Sequence, residues 1–502
     1  MDYDLSAFSA KPNETERIKE IDEHEYRDKF QRDRDRVLYS KEFRRLSGKT
    51  QIFVAGSDDN IRTRLTHTLE VAQIADTIAR RLNLNVMLTS AIAYAHDIGH
   101  TPFGHVGERT LNFFMNGCYA YYGYDNALNP GDKGFKHNLQ SVRVACDLED
   151  MYKEEGHGLN LTRYTLWGIQ NHSSCAYKEC EFYNNSGTCR YKNSNEKCDG
   201  DLSVDFYSVY SNRILNDKRD WTLEGIIVAY ADEIAQRHHD IEDGIFAGIL
   251  DIDHLCEYIE SDPVFGRELG ERIKNCPTLH NRKKNGTQDT IPVLGQQNYQ
   301  YSVSDKIRAL SRIIVDYYVT RYCDTLCKKI NHLHSIFQDE IDNKAKQNPL
   351  KWKELFYDYI KKEGQSLTKY FGFEQDISIA DKAFSHYLRN HVLFSELAQS
   401  MDGKAAYIIK QLIKAYLTNP QQLPDKTIVS VISDWCNRQN VMPKSGKPYM
   451  TVNSSARDKL KDLLTSNDPL IKTILMRRIC DFIAGMTDQY AYACYDKLYG
   501  TH

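Results

Sequence analysis

Tyr94-Ala95-His96-Asp97-Ile98-Gly99-His100-Thr101-Pro102-Phe103-Gly104-His105-Val106-Gly107-Glu108 is the stretch on which the reading of this chain turns. Its first half continues an apolar helical pattern, Ala91, Ile92 and Ala95, which lets His96 and His100 share the other face. Imidazole nitrogens beside a carboxylate suit a borderline divalent cation such as Mn²⁺, Fe²⁺ or Zn²⁺, and a buried Asp97 without a counter-charge would be costly. The His-Asp pair alone is weak evidence. With 17 histidines about one such pair is expected by chance, and a second occurs at His239-Asp240. The surroundings decide: Gly99, Pro102, Gly104 and Gly107 break the helix into tight turns, returning three histidines and Glu108 to one small region.

Working outward, residues 64–82 read as a helix with a stripe of Leu65, Leu69, Ala72, Ala75, Ile78, Ala79 and Leu82, and Arg64 and His67 are neighbours at its start. A second helix runs from Leu223 to about Asp243. Ile226, Ile227, Tyr230, Ile234 and Ile241 give it an apolar side, while Asp232, Gln236, His239, Asp240 and Asp243 recur at helical spacing. His239 and Asp243 are expected on a solvent face. Asp232 differs, because the window Ile226 to Ala231 is strongly apolar and an unpaired charge there would be expensive. Upstream, Arg32-Asp33-Arg34-Asp35-Arg36 predicts a helix with a solvated, salt-bridged face. For Arg44, Arg45 and Gln51 the plain expectation is again a solvated face, and the sharper one is that they face a nucleotide, since forked donors suit phosphates and an amide suits a base edge.

The first 25 residues are polar and expected to be peripheral. Tyr119, Tyr121, Tyr122 and Tyr124 lie on a predicted loop and are expected to pack against the domain. Phe135 to Arg143 opens a further helix. Residues 172–200 form an irregular insert with Cys175, Cys180, Cys189 and Cys198, where the absence of a C-x₂-C pair disfavours structural zinc. In the second half, 305–321, 323–342, 379–400, 403–417 and 469–498 have helical spacing, and Asn285 to Tyr301 is expected to hold a short hairpin. Asn419 to Pro424 and Asn437 to Ser455 read as connectors.

With 41% hydrophobic and 27% charged residues over 502 positions, the chain can bury a large core and is not disordered. A net charge of −4 argues against a wholly nucleic-acid-binding surface, so a polyanion must meet a local patch. No apolar run approaches the roughly 20 residues of a membrane span, and Met1 to Pro12 lacks a signal pattern. Thirteen scattered cysteines fit reduced thiols, so a cytoplasmic location is expected.

Arg64-x-x-His67, His96-Asp97 and Asp232, in that order, resemble the metal-binding pattern of the HD-domain superfamily. The flanks narrow the resemblance. Arg32 to Arg36, Phe43-Arg44-Arg45-Leu46, Lys49-Thr50-Gln51, the His96 to Glu108 stretch, Asn138-Leu139-Gln140-Ser141 and Asp481 to Ala491 are similar to bacterial deoxyguanosine triphosphate triphosphohydrolases and their deoxynucleotide-hydrolysing relatives. The resemblance covers about residues 28 to 497.

It implies an all-α fold: a polar segment 1–27, an HD-domain core over 28–290 carrying the insert 172–200, and a mainly helical region 291–502 packed on the core. It implies that His67, His96, Asp97 and Asp232 hold a divalent metal, Mn²⁺ or Mg²⁺, with other transition metals compatible. His105 would transfer a proton at the reacting phosphate or 5′-oxygen, with Glu108 orienting it. Gln51 would touch the base, Arg64 and His100 the phosphates, and Asp240 the sugar 3′-hydroxyl. Gln236 stands where relatives often carry a tyrosine, which leaves its sugar or phosphate contact open. The implied reaction converts a dNTP, dGTP by preference, to deoxynucleoside and triphosphate. The implied assembly is a homo-oligomer, hexamer or tetramer, with single-stranded DNA or a nucleotide as effector and no membrane partner. The alternatives are another HD-domain nucleotide phosphohydrolase, such as a nucleotidase or guanosine tetraphosphate hydrolase, or a non-enzymatic nucleic-acid-binding regulator with a vestigial site.

Overall fold

Thr63 opens the helix Arg64–Arg81 by accepting from the Thr66 N–H, which sets Arg64 and His67 at its start. Asn85 caps Val86–Ala95 in the same way, and Thr222 caps the long helix Leu223–Phe246. These three helices pack on one another. Val71, Ala75 and Ile78 meet Leu88, Ile92, Ile226, Ile227 and Ile234 in a buried cluster that Lys29–Tyr39 and Arg163–Asn171 close from the sides. The computed structural model describes residues 3–51, 62–119, 121, 123–124, 127–152, 158–177, 180, 202–279, 283–284, 287–288, 301–344, 348–439, 454–466 and 468–500. Its fold is all-α. The strands among those residues are Lys283–Lys284 and Thr287–Gln288, paired antiparallel with Lys283 opposite Gln288. Lys283–Lys284 precede and Thr287–Gln288 fall within the stretch Asn285 to Tyr301 expected to hold a hairpin, of which residues 285–286 and 289–300 lie outside the described residues.

Apolar packing forms two large clusters. The first runs from Leu5 to Ala398 in sequence and includes Leu310, Ile314 and Tyr318 of the helix Val303–Lys344, which lies along Leu223–Phe246. The second joins Phe103, Val106, Leu111 and Phe114 of the helix Gly104–Met115 and its approach to Ile408, Leu412, Ile474 and Ile483 near the C-terminal end. Tyr119, Tyr121 and Tyr124 pack against this second cluster, as expected, and Tyr122 lies outside the described residues. The His96 to Glu108 stretch therefore bridges the two.

Two glycines in that stretch are required by close approach. A Cβ on Gly99 would lie 2.1 Å from the Ser141 backbone nitrogen, and one on Gly107 would lie 2.1 Å from the Pro102 carbonyl oxygen. Ser141 uses the first approach. Its hydroxyl donates to the His96 carbonyl at 2.7 Å and accepts from the Gly99 N–H at 2.9 Å, pinning the turn after the His-Asp pair.

Several expectations change. The helix Val86–Ala95 ends before His96, so His96 and His100 do not share a helical face; the Asp97 to His100 turn replaces it, closed by the His100 N–H on the Asp97 carbonyl at 3.0 Å. Leu69 is exposed, because the buried arc of its helix centres on Val71, Ala75 and Ile78. The N-terminal segment is not peripheral. Leu5, Phe8 and Ala10 are buried, the Ala10 N–H donates to Glu224, and Arg17 pairs at 2.5 Å with a fully buried Asp33. Asp33 and Arg36 therefore face inward from the charge run. Asp33 accepts from the Thr162 N–H, and Arg36 donates to the Leu159 carbonyl. Segments 305–321 and 323–342 are one helix, with no glycine or proline to interrupt them. The 379–400 segment is divided, Gln375–Leu388 running into a wide turn before Ser395 caps the helix Glu396–Thr418. The 469–498 segment breaks at Gly485, and Thr487 caps the helix Asp488–Tyr499. Of the connector Asn437 to Ser455, residues 440–453 lie outside the described residues.

Candidate active site

His67, His96 and Asp232 come from three different helices or their ends and bring one ligand atom each within 4.8 Å of the others. His67 Nε2 lies 2.9 Å from Asp232 Oδ1. His96 Nδ1 is 2.7 Å from the Ala93 carbonyl, an acceptor only, so Nδ1 carries the proton and Nε2 keeps its lone pair. Among the described residues that buried Nε2 has no hydrogen-bond partner; it lies 3.5 Å from Asp97 Oδ2 and 3.9 Å from Asp232 Oδ1. An orphaned buried imidazole nitrogen between two carboxylates fits a divalent cation. The residues present pass that test.

Asp97 is buried and engages Arg64 Nη1 at 2.5 Å through Oδ2, while Arg64 Nε reaches the Thr50 carbonyl at 3.3 Å. Burial opposes its ionisation, but His96 and Arg64 outweigh that and hold its carboxyl well below the usual carboxylate range. Asp232 is held low in the same way, with the His67 hydrogen bond the largest favourable cause. Asp97 also groups with His137 and His172 within 4.8 Å. Two donor sets thus lie side by side.

A further group gathers His100, His105 and Glu108. Here the sequence reading needs correcting. Glu108 lies 4.0 Å from His105 Nδ1, beyond hydrogen-bond length, and its carboxylate instead accepts from His137 Nδ1 and from the Tyr177 hydroxyl at 2.6 Å. Lys136 Nζ stands 3.6 Å away. Burial would raise the Glu108 pKa, yet His137 outweighs it and keeps the group a carboxylate. The His100 ring stacks on His137 at 4.5 Å, and its burial, with Arg64 nearby, keeps it neutral. The His105 side chain is 74% accessible. The surrounding protein lowers its pKa while Glu108 opposes this, and its open contact with water limits the effect.

Gln51, Gln236 and Asp240 form a donor chain: Gln51 Nε2 to Gln236 Oε1 at 3.0 Å, then Gln236 Nε2 to Asp240 Oδ1 at 2.6 Å. Among the described residues, the buried Gln51 Oε1 has no hydrogen-bond partner. Burial pushes the Asp240 pKa up to about 6 against the pull of Arg237 and Gln236. Arg44 and Arg45 are exposed, and Arg45 pairs with Glu42.

His239 and Asp243 are buried rather than solvent-facing, because the helix Leu223–Phe246 is covered by Arg62 and by the helix Arg64–Arg81. His239 Nδ1 lies 3.1 Å from His67 Nδ1. His137 and His172 were missed as site residues. The signal for His137 was its place in the Phe135 to Arg143 motif; His172 stood at the edge of an insert and had none beyond its residue type. Cys175 Sγ lies 3.4 Å from the Gln170 carbonyl, and Cys180 packs with Phe113 and Cys118. Cys189 and Cys198 lie outside the described residues.

Residues 64–237 match the HD domain, and residues 469–497 match the phosphohydrolase-associated domain. The chain is 30% identical over 497 residues to a deoxyguanosinetriphosphate triphosphohydrolase-like protein of Bordetella pertussis, covering 99% of this chain and 96% of the relative. A protein of that name from Leptospira interrogans is 29% identical over 484 residues, 96% of this chain and 92% of the relative. One from Thiobacillus denitrificans is 42% identical over 257 residues, 51% of this chain and 56% of the relative. The matched HD region begins at Arg64 and takes in His67, His96, Asp97 and Asp232. Similarity of this extent places the whole chain, and not only its histidine cluster, in the deoxyguanosinetriphosphate triphosphohydrolase-like family of HD-domain proteins.

Proposed function

We propose that this protein is a metal-dependent nucleotide phosphohydrolase that cleaves dNTPs, dGTP by preference, to deoxynucleoside and inorganic triphosphate. The observation that carries the reading is the orphaned His96 Nε2 between Asp97 and Asp232, next to a cluster of imidazoles at His100, His105 and His137. His67, His96, Asp97 and Asp232 would hold the divalent cation, Mn²⁺ or Mg²⁺. When bound it supplies Lewis acidity and a template for the α-phosphate.

The chain's own groups do the rest. His100 Nδ1, buried and without a partner among the described residues, is available to a phosphate oxygen, and Arg64 supplies fixed positive charge beside it. His105, open to water, would pass a proton from the attacking water to the departing 5′-oxygen. In the net reaction a water oxygen bonds to the α-phosphorus, the bond from phosphorus to the 5′-oxygen breaks, and one of that water's protons goes to the 5′-oxygen. Glu108 acts at one remove: it fixes His137, against which His100 stacks. Gln51 meets the base with its free Oε1, and Asp240 accepts from the 3′-hydroxyl, with Gln236 linking them. A carboxylate placed for the 3′-hydroxyl packs the sugar close, so GTP should be a poor substrate.

Incubation with each dNTP and NTP plus Mg²⁺ or Mn²⁺, with product chromatography and ¹⁸O-water, tests this. Deoxyguanosine with ¹⁸O in triphosphate is expected. Release of dGMP and pyrophosphate, or of dGDP and phosphate, would overturn the mechanism, and equal turnover of GTP would overturn the sugar discrimination.

A further inference from the structure

Glu108 Oε2 stands between two histidines. It accepts from His137 Nδ1 and lies 4.0 Å from the Nδ1 of His105, one turn earlier on its own helix Gly104–Met115. What separates the two partners is the other oxygen. Oε1 accepts from the Tyr177 hydroxyl at 2.6 Å and has Lys136 Nζ 3.6 Å away. Lys136 Nζ in turn lies 4.3 Å from the centre of the Tyr177 ring. Lys136 immediately precedes the helix His137–Arg143, and Tyr177 comes from the insert 172–200, so separate segments close on one buried carboxylate.

The Tyr177 hydroxyl has a single proton and a second acceptor, the Phe135 carbonyl at 2.9 Å. The shorter distance and the charge of the carboxylate direct that proton to Glu108. Burial and the adjacent carboxylate push the phenol well above its ordinary range, so it remains a donor. A carboxylate is planar, and holding Oε1 between Tyr177 and Lys136 leaves Oε2 on the His137 side. Without the hydroxyl the group is free to turn, and His105 is the histidine within its reach.

We propose that Tyr177 is a positioning residue that holds Glu108 on His137 and away from His105, leaving the His105 ring free to pass a proton at the substrate. The consequence for catalysis rests on the proposed function, whereas the choice of partner by Glu108 does not. Tyr177 lies outside the motifs that carry the family resemblance. The insert thus supplies the site with a group of its own, from a stretch that otherwise reads as an irregular loop.

The experiment compares the full chain with its Tyr177→Phe and Tyr177→Leu variants. An NMR titration of His105 reads the partner choice without any need for activity. The charged and titratable groups around that ring are Glu108, His100 and His137 with ring centres at 5.5 and 6.2 Å, Arg64 and Asp97, and neither substitution alters any of them. A Glu108 released toward His105 stabilises the charged imidazole, so the His105 pKa should rise by roughly half a unit in both variants. With dGTP and Mn²⁺, kcat should fall roughly 10-fold in both while KM is unchanged, in keeping with a lost hydrogen bond to a charged group. Tyr177→Leu also removes the ring beside Lys136, and should unfold at a lower temperature than Tyr177→Phe without losing more kcat. A merely structural tyrosine gives another pattern: Tyr177→Phe behaves as the wild type, and kcat falls only where stability falls. That pattern, or an unchanged His105 pKa in Tyr177→Phe, would overturn the proposal. A wild type that leaves dNTPs intact while the His105 shift is present would overturn the proposed function alone.

Discussion

The carboxylate of Asp488 accepts from the Phe103 backbone N–H at 2.9 Å, 385 residues away in sequence. Its other oxygen takes the Thr50 N–H at 2.9 Å and contacts the Thr50 hydroxyl. Phe103 has φ +60°, a left-handed conformation that is costly without glycine and persists only where the surroundings hold it. Asp488 is one of those holds. Lys49 Nζ adds another, donating to the Ala484 carbonyl at 2.9 Å and contacting the His100 carbonyl, and Asp481 takes Arg143 through both oxygens at 3.0 and 2.7 Å. The segment matching the phosphohydrolase-associated domain thus braces the turn between His100 and His105.

Asp488→Ala should therefore separate bracing from metal binding. It leaves two buried backbone N–H groups without acceptors, a cost of about 2–6 kcal/mol. Thermal denaturation should show that loss, and turnover should fall as His105 loosens. Bound metal per chain should stay near the wild-type value, because His67, His96 and Asp232 do not touch Asp488. Loss of metal in a folded Asp488→Ala protein would contradict this division.

Asp97→Ala and His67→Ala should abolish turnover and bound metal while the circular dichroism stays helical. The Asp97 change also frees the buried Arg64 guanidinium, so its stability should fall further than that of His67→Ala. Full activity in metal-depleted Asp97→Ala would remove the metal assignment.

Glu108 and His105 should behave differently, since the carboxylate bonds to His137 and not to His105. His105→Ala is expected to lose about 10²–10⁴ in kcat with metal and substrate binding kept. Its side chain is largely accessible, so stability should barely change. Glu108→Gln should instead destabilise the fold and lower kcat less, through the disturbed His137–His100 stack. Equal kinetic effects without any stability difference would restore Glu108 as the direct partner of His105.

The division between what sequence revealed and what it hid follows from the range of the interactions. The convergence of His67, His96, Asp97 and Asp232 was legible because short motifs and an apolar window carry its signal locally. Leu69 was misplaced because a helical stripe gives a period but not the angle at which neighbours meet it. His239 was read as solvent-facing because its burial depends on Glu70 and Arg62, brought from another helix and the chain before it. The true partner of Glu108 was hidden likewise: a spacing of three suggested His105, whereas His137 arrives from 29 residues away. Asp488 lies within the Asp481 to Ala491 motif, but its hold on Phe103 is visible only in three dimensions.

Gln51 donates through Nε2 to Gln236, and its Oε1 has no partner among the described residues, an acceptor suited to a donor on a base edge. Gln51→Ala should weaken selectivity for dGTP more than general dNTP turnover. Competition assays with all four dNTPs measure it. An equal loss for every base would assign Gln51 to holding Gln236 and the sugar.

Asp240 offers a prediction with a definite sign in pH. Its ordinary pKa of 3.8 is raised to about 6 by burial, so the native state holds the proton more tightly than the unfolded chain. Stability associated with that proton is fully present below pH 3.8 and is lost as pH rises through about 6. Asp240→Asn never ionises and keeps an oxygen for Gln236, so it escapes the cost of burying the charge. It should be more stable than the wild type at pH 8, by at most about 3 kcal/mol for a shift of roughly two units, and the gain should shrink to nothing near pH 4. The same change removes a charged acceptor from the proposed 3′-hydroxyl contact, which should lower kcat/KM for dGTP roughly 10–100-fold. A protein gaining stability while losing activity would mark Asp240 as a residue kept for substrate and not for the fold. Chemical denaturation at pH 4, 6 and 8, beside dGTP kinetics at pH 8, measures both halves. A variant that is less stable at pH 8 and fully active would show that Asp240 serves the packing of its helix instead.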